Sequence, residues 1–166
     1  MSGTIVGVRV DYVAARAEHD SLLREIFASA RRAEISGFPE ELRDRLTSMQ
    51  FAAQTAQYCF AYPDAVDRLL SADGALIGRL LVDEGPDAIT LVDIAILESH
   101  RRRGIGTGVL LDLCAGADRR QVPIRLRALA PDSRLRGWYA RFGFIETGVT
   151  GGHVELVRAP QRVKSK

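Results

Sequence analysis

Apolar residues in the first half of the chain change from an alternating to a helical spacing. Residues 5–13 alternate as a strand does, whereas apolar residues recur every three or four positions along residues 21–36. Asp20 stands where it can cap this helix, and the next glycine ends it. Pro39 opens a second helix that we expect to reach Gln57. The two helices are predicted to form a hairpin.

The second half of the chain consists of short apolar runs separated by turn residues, with two further helical segments. The pair Asp73-Gly74 can supply the positive φ angles that a tight hairpin turn requires. The predicted strands are residues 65–71, 75–82, 88–97, 123–130, 145–150 and 153–157, and the predicted helices are residues 104–119 and 133–142. This order, β α α β β β α β α β β, predicts an α/β fold with a mixed central β-sheet covered by helices.

Apolar residues recur at helical spacing along two of these helices. They are Leu42, Leu46, Met49 and Ala53 in the second helix, and Ile105, Val109, Leu110, Leu113 and Ala117, the predicted buried stripe, in the helix over residues 104–119. No repeat, linker or low-complexity segment interrupts the pattern. We therefore expect a single domain over residues 1–166, with a core at about 5–158 and a frayed tail at 159–166.

Composition narrows the class of protein. A chain that is 46% hydrophobic and 27% charged is globular and neither collagen-like nor disordered. The net charge of +2 is too small for a dedicated nucleic-acid binder, and only Arg101-Arg102-Arg103 concentrates positive charge. We interpret this cluster as a local anion site. Nucleic-acid binding through these arginines and the Lys164/Lys166 tail is the weaker alternative.

Cysteine and histidine usage argues against disulfides and metals. Cys59 and Cys114 are far apart, so we expect buried free thiols. His19, His100 and His153 have no paired spacing, so no metal is predicted. The N-terminus lacks the pattern of a secretion signal and no run of 18 apolar residues is present, so we expect a cytoplasmic protein without a membrane span.

The segment after the predicted strand at residues 88–97 has the parts of a phosphate cradle. A basic, glycine-rich turn leads into an amphipathic helix, where free backbone amides carry partial positive charge. Gly108 is followed by Val109-Leu110, so the Lys and Ser/Thr of a Walker A loop are missing. Val109 also stands where a dinucleotide fingerprint needs glycine.

Arg101-Arg102-Arg103-Gly104-Ile105-Gly106 fits the pattern Arg/Gln-x-x-Gly-x-Gly/Ala and resembles the acyl-coenzyme A loop of the GNAT acyltransferase family. A second pattern common in that family, Tyr139-x-x-x-Gly143-Phe144, follows downstream. The predicted element order is similar over about residues 5–158. The resemblance implies an N-acetyltransferase of GNAT-like fold that uses acetyl-CoA and an amine acceptor.

The resemblance also implies roles for individual residues. Cofactor contacts are implied for Arg101, Arg102, Arg103, Gly104, Ile105, Gly106 and Thr107 around the pyrophosphate, and for Ile94, Ala95 and Ile96 along the pantetheine arm. Pantetheine has two amides, which can pair with a strand that offers free backbone groups. The Ile96 amide is implied as the oxyanion donor, and Tyr139 as the proton donor to the departing thiolate.

The acceptor amine must lose a proton before it attacks. With a pKa near 10.4, its neutral form costs about 4.6 kcal/mol at pH 7. Asp93 interrupts an apolar strand, which should raise its pKa and make it a candidate base or substrate anchor. A salt bridge to an arginine and a water chain to bulk solvent are the alternatives. Glu98 is a second, more exposed candidate.

Asp132 departs from the family pattern, because many relatives have Asn in this segment and a carboxylate cannot donate as an amide does. Asp132 is a cofactor-binding candidate whose alternative role is a helix N-cap. The segment Met49-Gln50-Phe51, with Gln54, either forms an acceptor wall or belongs to the core.

Acetyl transfer to a primary amine by direct attack in a ternary complex is therefore the predicted function. A non-catalytic acyl-CoA-binding or interaction module is the alternative. Small-molecule amines, antibiotics, polyamines and protein N-termini all stay open as acceptors. A homodimer is common in such proteins, although no residue here demonstrates it.

Overall fold

The computed structural model describes residues 2–5 and 8–162. The strands are β1 (Ser2–Ile5), β2 (Val8–Ala14), β3 (Val66–Ala72), β4 (Ala75–Glu84), β5 (Ile89–Ile96), β6 (Ile124–Leu129), β7 (Ile145–Thr150) and β8 (His153–Arg158). The helices are α1 (Asp20–Ala30), α2 (Arg32–Ile35), α3 (Glu40–Ala61), α4 (Ile105–Arg120) and α5 (Ser133–Ala140). Short 3-10 turns lie at Ala17–His19 and Glu98–His100.

Within these described residues, all eight strands form one sheet in the order β1-β2-β3-β4-β5-β6-β8-β7. β5 and β6 run parallel, and the other neighbouring pairs are antiparallel. The α/β prediction of a mixed sheet covered by helices is confirmed. The Asp73-Gly74 turn is also confirmed, with φ angles of 51° and 78° that fit a tight hairpin.

The sheet carries a different helical layer on each face. Leu70 and Leu80 belong to the large core cluster that includes the inner side of α4. Leu69 and Leu81 alternate with them along β3 and β4 and so face the opposite side, where α1 packs against β4 and β5. Residues on this second face therefore lie under the helical hairpin.

The N-terminal third differs from the sequence prediction. The strand expected over residues 5–13 is part of a hairpin in which Ile5 pairs with Val8, while Val6 and Gly7 lie outside the described residues. Asp20 is the first residue of α1 and not its cap, and its carboxylate accepts a hydrogen bond from Arg24 at 3.2 Å. The helix predicted over residues 21–36 is divided into α1 and α2.

The apolar residues that recur at helical spacing along α3 do not mark its buried face. Thr47 and Phe51 are its buried residues, whereas Leu42, Met49 and Ala53 are exposed. The Phe51 ring packs edge-on against Phe27 of α1, with ring centroids 5.6 Å apart. On α4 the predicted stripe is correct except that Cys114 is buried and Leu113 is only half-buried.

Two smaller expectations are corrected, one for a cysteine and one for the C-terminal tail. Cys59 is exposed, whereas Cys114 is buried as expected, and both are free thiols. The Gln161 amide donates a hydrogen bond to the Asp118 carboxylate at 2.8 Å, so the tail is held in place at least to this residue. Lys164 and Lys166 lie outside the described residues. No helix in the described ranges is long and apolar enough to cross a membrane.

Candidate functional site

The two parallel strands β5 and β6 separate part-way along their length. They pair at Ile89, Thr90 and Leu91 of β5, and the pairing then stops although both strands continue. A bulge lies at the same point, because Leu81 pairs with Asp93 and Val82 with Leu91, which leaves Val92 as an extra residue. The result is a wedge-shaped opening in the middle of the sheet.

Alternate backbone groups of β5 face this opening. Leu97 donates its amide to the Ile77 carbonyl at 2.9 Å, so the antiparallel pair Gly78 and Ile96 is of the non-hydrogen-bonded kind. The amides and carbonyls of Ile94 and Ile96 therefore point away from β4 and into the opening. Ala95 pairs with Arg79 and directs its backbone groups to β4. Backbone groups of Ile94 and Ile96 thus face the opening, whereas those of Ala95 face β4.

The chain leaves the opening through a basic loop that ends at the start of α4. Arg102 and Gly104 both have left-handed backbone conformations, with φ of 58° and 75°. Gly104 precedes the first turn of α4 and offers no side-chain cap, and that turn contains no acidic residue. The first amides of a helix have no acceptor within the helix. With three exposed arginines beside them, these amides form a site suited to an anion.

Arg101 is held in place by the end of β5. Its Nε donates to the Ile96 carbonyl at 2.8 Å, and its Nη2 lies 3.5 Å from the Ser29 hydroxyl of α1. The same hydroxyl accepts a hydrogen bond from the Glu98 amide at 3.1 Å. Arg101 therefore ties the loop to the strand, whereas Arg102 and Arg103 have no such contact among the described residues.

Tyr139 lies in the core beneath α5. It is 4% exposed and packs against Trp138 and Phe144, with ring centroids at 4.9 and 5.5 Å. Within the described part of the chain, no group accepts a hydrogen bond from its hydroxyl. Burial, helped by the negative charge of Asp93, raises the pKa of the Tyr139 phenol far above its ordinary value. The phenol is therefore a proton-bearing donor at neutral pH.

Asp93 lies in a diagonal row of charged side chains on the sheet face under the helical hairpin, in which Arg79 is buried and Asp67 and Asp93 are half-buried. Arg79 of β4 is 8% exposed and forms two hydrogen bonds to the Asp67 carboxylate, at 2.9 and 2.8 Å. Its Nη1 also lies 3.6 Å from Asp93 Oδ2. Burial raises the pKa of Asp93, and Arg79 opposes that shift. Asp93 is thus both a member of an ion pair and a carboxylate with increased proton affinity.

The sequence alone did not single out Arg79 or Tyr58. Arg79 breaks the apolar run of β4 as Asp93 breaks that of β5, and this signal was available. Tyr58 is on the last turns of α3, beyond the predicted end of that helix. Burial and the charge of Asp93 raise the pKa of Tyr58 to about 12. Its phenol therefore belongs to the same group of side chains.

The other candidates fall outside this group. Asp132 Oδ1 accepts a hydrogen bond from the Leu135 amide at 2.9 Å, so its carboxylate caps α5 as the alternative interpretation had it. Glu98 is paired with Arg32 at 3.0 Å on the surface. Among the described residues, no group of His, Cys, Asp and Glu is arranged to hold a metal ion.

Comparison with known proteins relates this geometry to a family. The family model of the Acetyltransferase (GNAT) family matches residues 23–144, which is more than half of the chain. The chain belongs to the GNAT acetyltransferase family. No curated protein matches it.

Solved structures of acetyltransferases share the fold. The PaiA N-acetyltransferase from Thermoplasma acidophilum, in complex with coenzyme A, has a TM-score of 0.67 at 15% identity and covers 90% of this chain and 98% of its own. A GNAT acetyltransferase from Elizabethkingia anophelis with acetyl-CoA bound has a TM-score of 0.61 at 14% identity, covering 90% and 97%. The ribosomal-protein-S18-alanine N-acetyltransferase from Escherichia coli has a TM-score of 0.64 at 16% identity, covering 95% and 98%. At such low identities these similarities show the fold.

Proposed function

We propose that this protein is a single N-acetyltransferase domain that transfers the acetyl group of acetyl-CoA to a primary amine by direct attack in a ternary complex. The observation that carries the proposal is the open stretch of β5, which leads directly to the anion site at the start of α4. A ligand that fits both must have hydrogen-bonding amides at one end and an anionic group at the other. Acyl-coenzyme A has this order of groups.

In this proposal the cofactor binds largely through the main chain. The pantetheine amides pair with the backbone amide and carbonyl that Ile94 presents to the opening, because Arg101 occupies the Ile96 carbonyl and the Ile96 amide serves the oxyanion. The pyrophosphate binds the amides of Gly104 to Thr107, with Arg102 and Arg103 adding positive charge at the rim. Ala95 and Arg101 support the site from behind, by pairing with β4 and by holding the Ile96 carbonyl.

Asp93 is proposed as the group that receives the proton of the acceptor ammonium, directly or through water. Its raised pKa makes it a better base than an ordinary carboxylate. The neutral amine then attacks the thioester carbon, forming the C–N bond, and the C–S bond breaks. One acetyl-CoA and one ammonium give an acetamide, the free coenzyme thiol and one proton released to solvent.

Two groups are proposed to stabilise the charges that develop. The Ile96 amide faces the opening and donates to the oxyanion of the tetrahedral intermediate. The Tyr139 hydroxyl donates to the departing thiolate. Because the pKa of this phenol lies far above that of an alkyl thiol, about 8.5, a hydrogen bond is favoured over complete proton transfer.

The acceptor is proposed to approach from the side of α1 and α3. This is the sheet face on which Asp93 lies, and Tyr58 of α3 reaches the same charged row. The face combines phenol, carboxylate and guanidinium groups. It can therefore bind a cationic amine next to other polar groups of an acceptor.

The proposal is tested by incubating the protein with acetyl-CoA and a panel of amines while free thiol is measured. The panel should include polyamines, small aromatic amines and peptides with free N-termini. We expect thiol release that depends on one class of amine, with acetylated product visible by mass spectrometry. Calorimetric binding of acetyl-CoA without thiol release on any amine would instead favour a non-catalytic acyl-CoA-binding module.

The role of Tyr139 is tested with Tyr139→Phe. We expect kcat to fall about tenfold or more, with little change in the KM for acetyl-CoA, because one transition-state hydrogen bond is lost. Tyr12→Phe is a matched control, since it removes another partly buried hydroxyl, which bonds to Asp112 at 2.9 Å on α4. Full turnover by Tyr139→Phe would remove the assignment.

A further inference from the structure

The outer side of α3 carries a stripe of apolar residues that is exposed in the described part of the chain. Its members are spaced alternately four and three residues apart, so they lie along one side of the helix. They are Leu42, Leu46, Met49, Ala53, Ala56 and Phe60. Leu46 is half-buried and the other five are exposed, Phe60 by 91%. The stripe is a hydrophobic surface left open along one helix.

This stripe lies opposite the side of α3 that packs on the rest of the protein. Thr47 and Phe51 are the buried residues of α3, and the Phe51 ring contacts Phe27 of α1. Each residue of a helix is turned by about 100° from the one before it, which places Met49 and Ala53 about 160° around the helix from Phe51. α3 therefore has two apolar sides, and only one of them is covered within the described residues.

Charged residues are confined to the beginning of α3. They are Glu40, Glu41, Arg43, Asp44 and Arg45, and residues 46–61 contain none. A helix whose outer side faces water normally carries charged or polar residues along that side. A continuous exposed apolar surface is typical of a site for protein–protein contact. The outer side of α3 has this character from its second turn to its end.

A second copy of α3, running antiparallel to the first, complements the stripe. The alternating spacing is symmetric about the middle of the stripe, so a two-fold axis at that point brings the stripe onto itself. Such an axis places Leu46 opposite the partner's Ala56, and Met49 opposite the partner's Ala53. Each large side chain then faces a small one, which allows the two surfaces to interdigitate.

The arginines beside the stripe favour the antiparallel orientation. Arg43 and Arg45 lie on either side of Leu42 at one end. In a parallel pair of helices they would lie next to the same arginines of the second copy, where like charges repel. In the antiparallel pair, Leu42 lies opposite the partner's Phe60, and the arginines lie near the last turn of the partner helix. The carbonyls of that turn carry partial negative charge.

We propose that α3 binds α3 of a second copy of this chain, antiparallel and across a two-fold axis, so that the protein forms a homodimer. The stripe is about 27 Å long. One helix per protomer supplies only part of the roughly 800 Å² that each partner buries in a standard interface. We therefore expect a dissociation constant on the order of micromolar. This dimer does not depend on the proposed acetyl transfer.

The proposal is tested by sedimentation velocity of the full chain at concentrations from about 1 to about 500 μM. We expect the mass of one chain at the low end and of two chains at the high end. Met49→Glu should raise the dissociation constant at least about tenfold, because the dimer would bury an unpaired carboxylate. Leu111→Glu is the matched control. It makes the same kind of change at an exposed apolar residue of α4, on the other face of the sheet, and should leave the dimer unchanged.

A mixture of two variants tests the register of the helices. Ala53→Lys alone should weaken the dimer as Met49→Glu does. In an equimolar mixture, the carboxylate introduced at position 49 of one chain faces the ammonium introduced at position 53 of the other, so the mixture should dimerise more tightly than either variant alone. A parallel pair would not bring these positions together. A mixture that stays as weakly associated as its components would therefore contradict the antiparallel register.

Three results would overturn the proposal. The first is a wild-type chain that sediments as one chain over the whole range. The second is a loss of the dimer in Leu111→Glu as large as that in Met49→Glu, which would point to general charge. The third is a monomer that cosediments with phosphatidylcholine/phosphatidylglycerol vesicles through Met49, which would make the stripe a membrane-binding surface. Circular dichroism checks the fold of each variant, and Ala53→Lys retains the test if Met49→Glu does not fold.

Discussion

The most informative residues are charged side chains placed within apolar strands. Asp67, Arg79 and Asp93 lie on adjacent strands and share one sheet face. A buried ionised group is costly unless it is paired, so a row of this kind is kept only where its members compensate one another. Arg79 does this for both carboxylates, at 2.8 Å from Asp67 and 3.6 Å from Asp93.

The proton affinity of Asp93 should govern the pH dependence of transfer. We expect kcat/KM to rise with pH on a limb above the usual carboxyl range, because burial raises the pKa of Asp93 and the ionised form is the proposed base. Arg79→Met should move this limb to higher pH, since the guanidinium favours the charged carboxylate. Arg79→Lys should return the limb part of the way to its wild-type position, because lysine keeps the positive charge. Rate profiles from pH 5 to 9 measure the shift.

Asp93→Asn provides the control for this experiment. The variant should lack the limb on which kcat/KM rises with pH, and it should lose most of the wild-type rate. A variant that kept the wild-type profile would show that Asp93 has only a structural role in its ion pair with Arg79.

At the scale of elements, the sequence predicted which segments are helices and strands more accurately than which face of a helix is buried. Strand alternation and the Asp73-Gly74 turn located the β3–β4 hairpin because both signals are local. The face of α3 could not be located in this way. Apolar residues occur on several sides of that helix, and only packing against Phe27 decides in favour of Phe51.

The orientation of α3 predicts opposite effects for two apolar residues. Phe51 is 6% exposed and Met49 is 68% exposed. Phe51→Ala should lower the free energy of unfolding by about 3 kcal/mol, through lost burial and the cavity left behind. Met49→Ala should change it by less than about 0.5 kcal/mol. Urea unfolding of the two variants checks this, and a larger loss at Met49 would contradict the helix orientation.

The candidate site was located in outline because its glycines and arginines stand next to each other in the sequence. The separation of β5 and β6 was not predictable, since it depends on where pairing stops at Leu91 and on the bulge at Val92. Leu91 and Val92 are both ordinary residue types for a buried strand. Ala95 directs its backbone groups to β4, whereas Ile94 and Ile96 direct theirs into the opening. This difference depends on the same register, which a sequence pattern does not fix.

The first turn of α4 allows stability and cofactor binding to be changed in opposite directions. Thr107→Asp places a negative charge near the positive end of the helix dipole and should leave stability unchanged or raise it by about 0.5 kcal/mol. The same charge should weaken coenzyme A binding at least about tenfold by repelling the pyrophosphate. Thr107→Asn is the uncharged control. Calorimetry and thermal unfolding measure the two effects, and undiminished binding by Thr107→Asp would contradict the anion site.

At the scale of the whole molecule, one buried ion pair joins segments that are distant in the sequence. Arg158 of β8 is 4% exposed and forms two hydrogen bonds to Asp118 of α4, at 2.7 and 2.9 Å. Its Nε also donates to the Phe142 carbonyl at 3.0 Å, and Asp118 accepts from the Gln161 amide. The end of α4, the segment after α5 and Gln161 beyond β8 are thereby held together.

This ion pair predicts a pH-dependent loss of stability. The Arg158 guanidinium lowers the pKa of Asp118, so the stabilisation is complete above the usual carboxyl range and is lost as pH falls through the lowered native pKa. Asp118→Asn should cost about 3 kcal/mol at pH 7, since it leaves a buried arginine uncompensated. The difference from wild type should shrink in acid. Urea unfolding between pH 3 and 7 measures it, with Asp87→Asn at an exposed carboxylate as control.

The opening between β5 and β6 is formed from main-chain amides and carbonyls, which every amino acid carries. A recognition surface of this kind is inherited with the path of the backbone, so most side chains around it can be exchanged without erasing it. This is consistent with a shared fold at only 14–16% identity to the solved structures. Substitutions around the opening should therefore be tolerated, whereas under the proposed function a change of acceptor requires substitutions on the sheet face of Asp93 and Tyr58, where side chains would make the contacts.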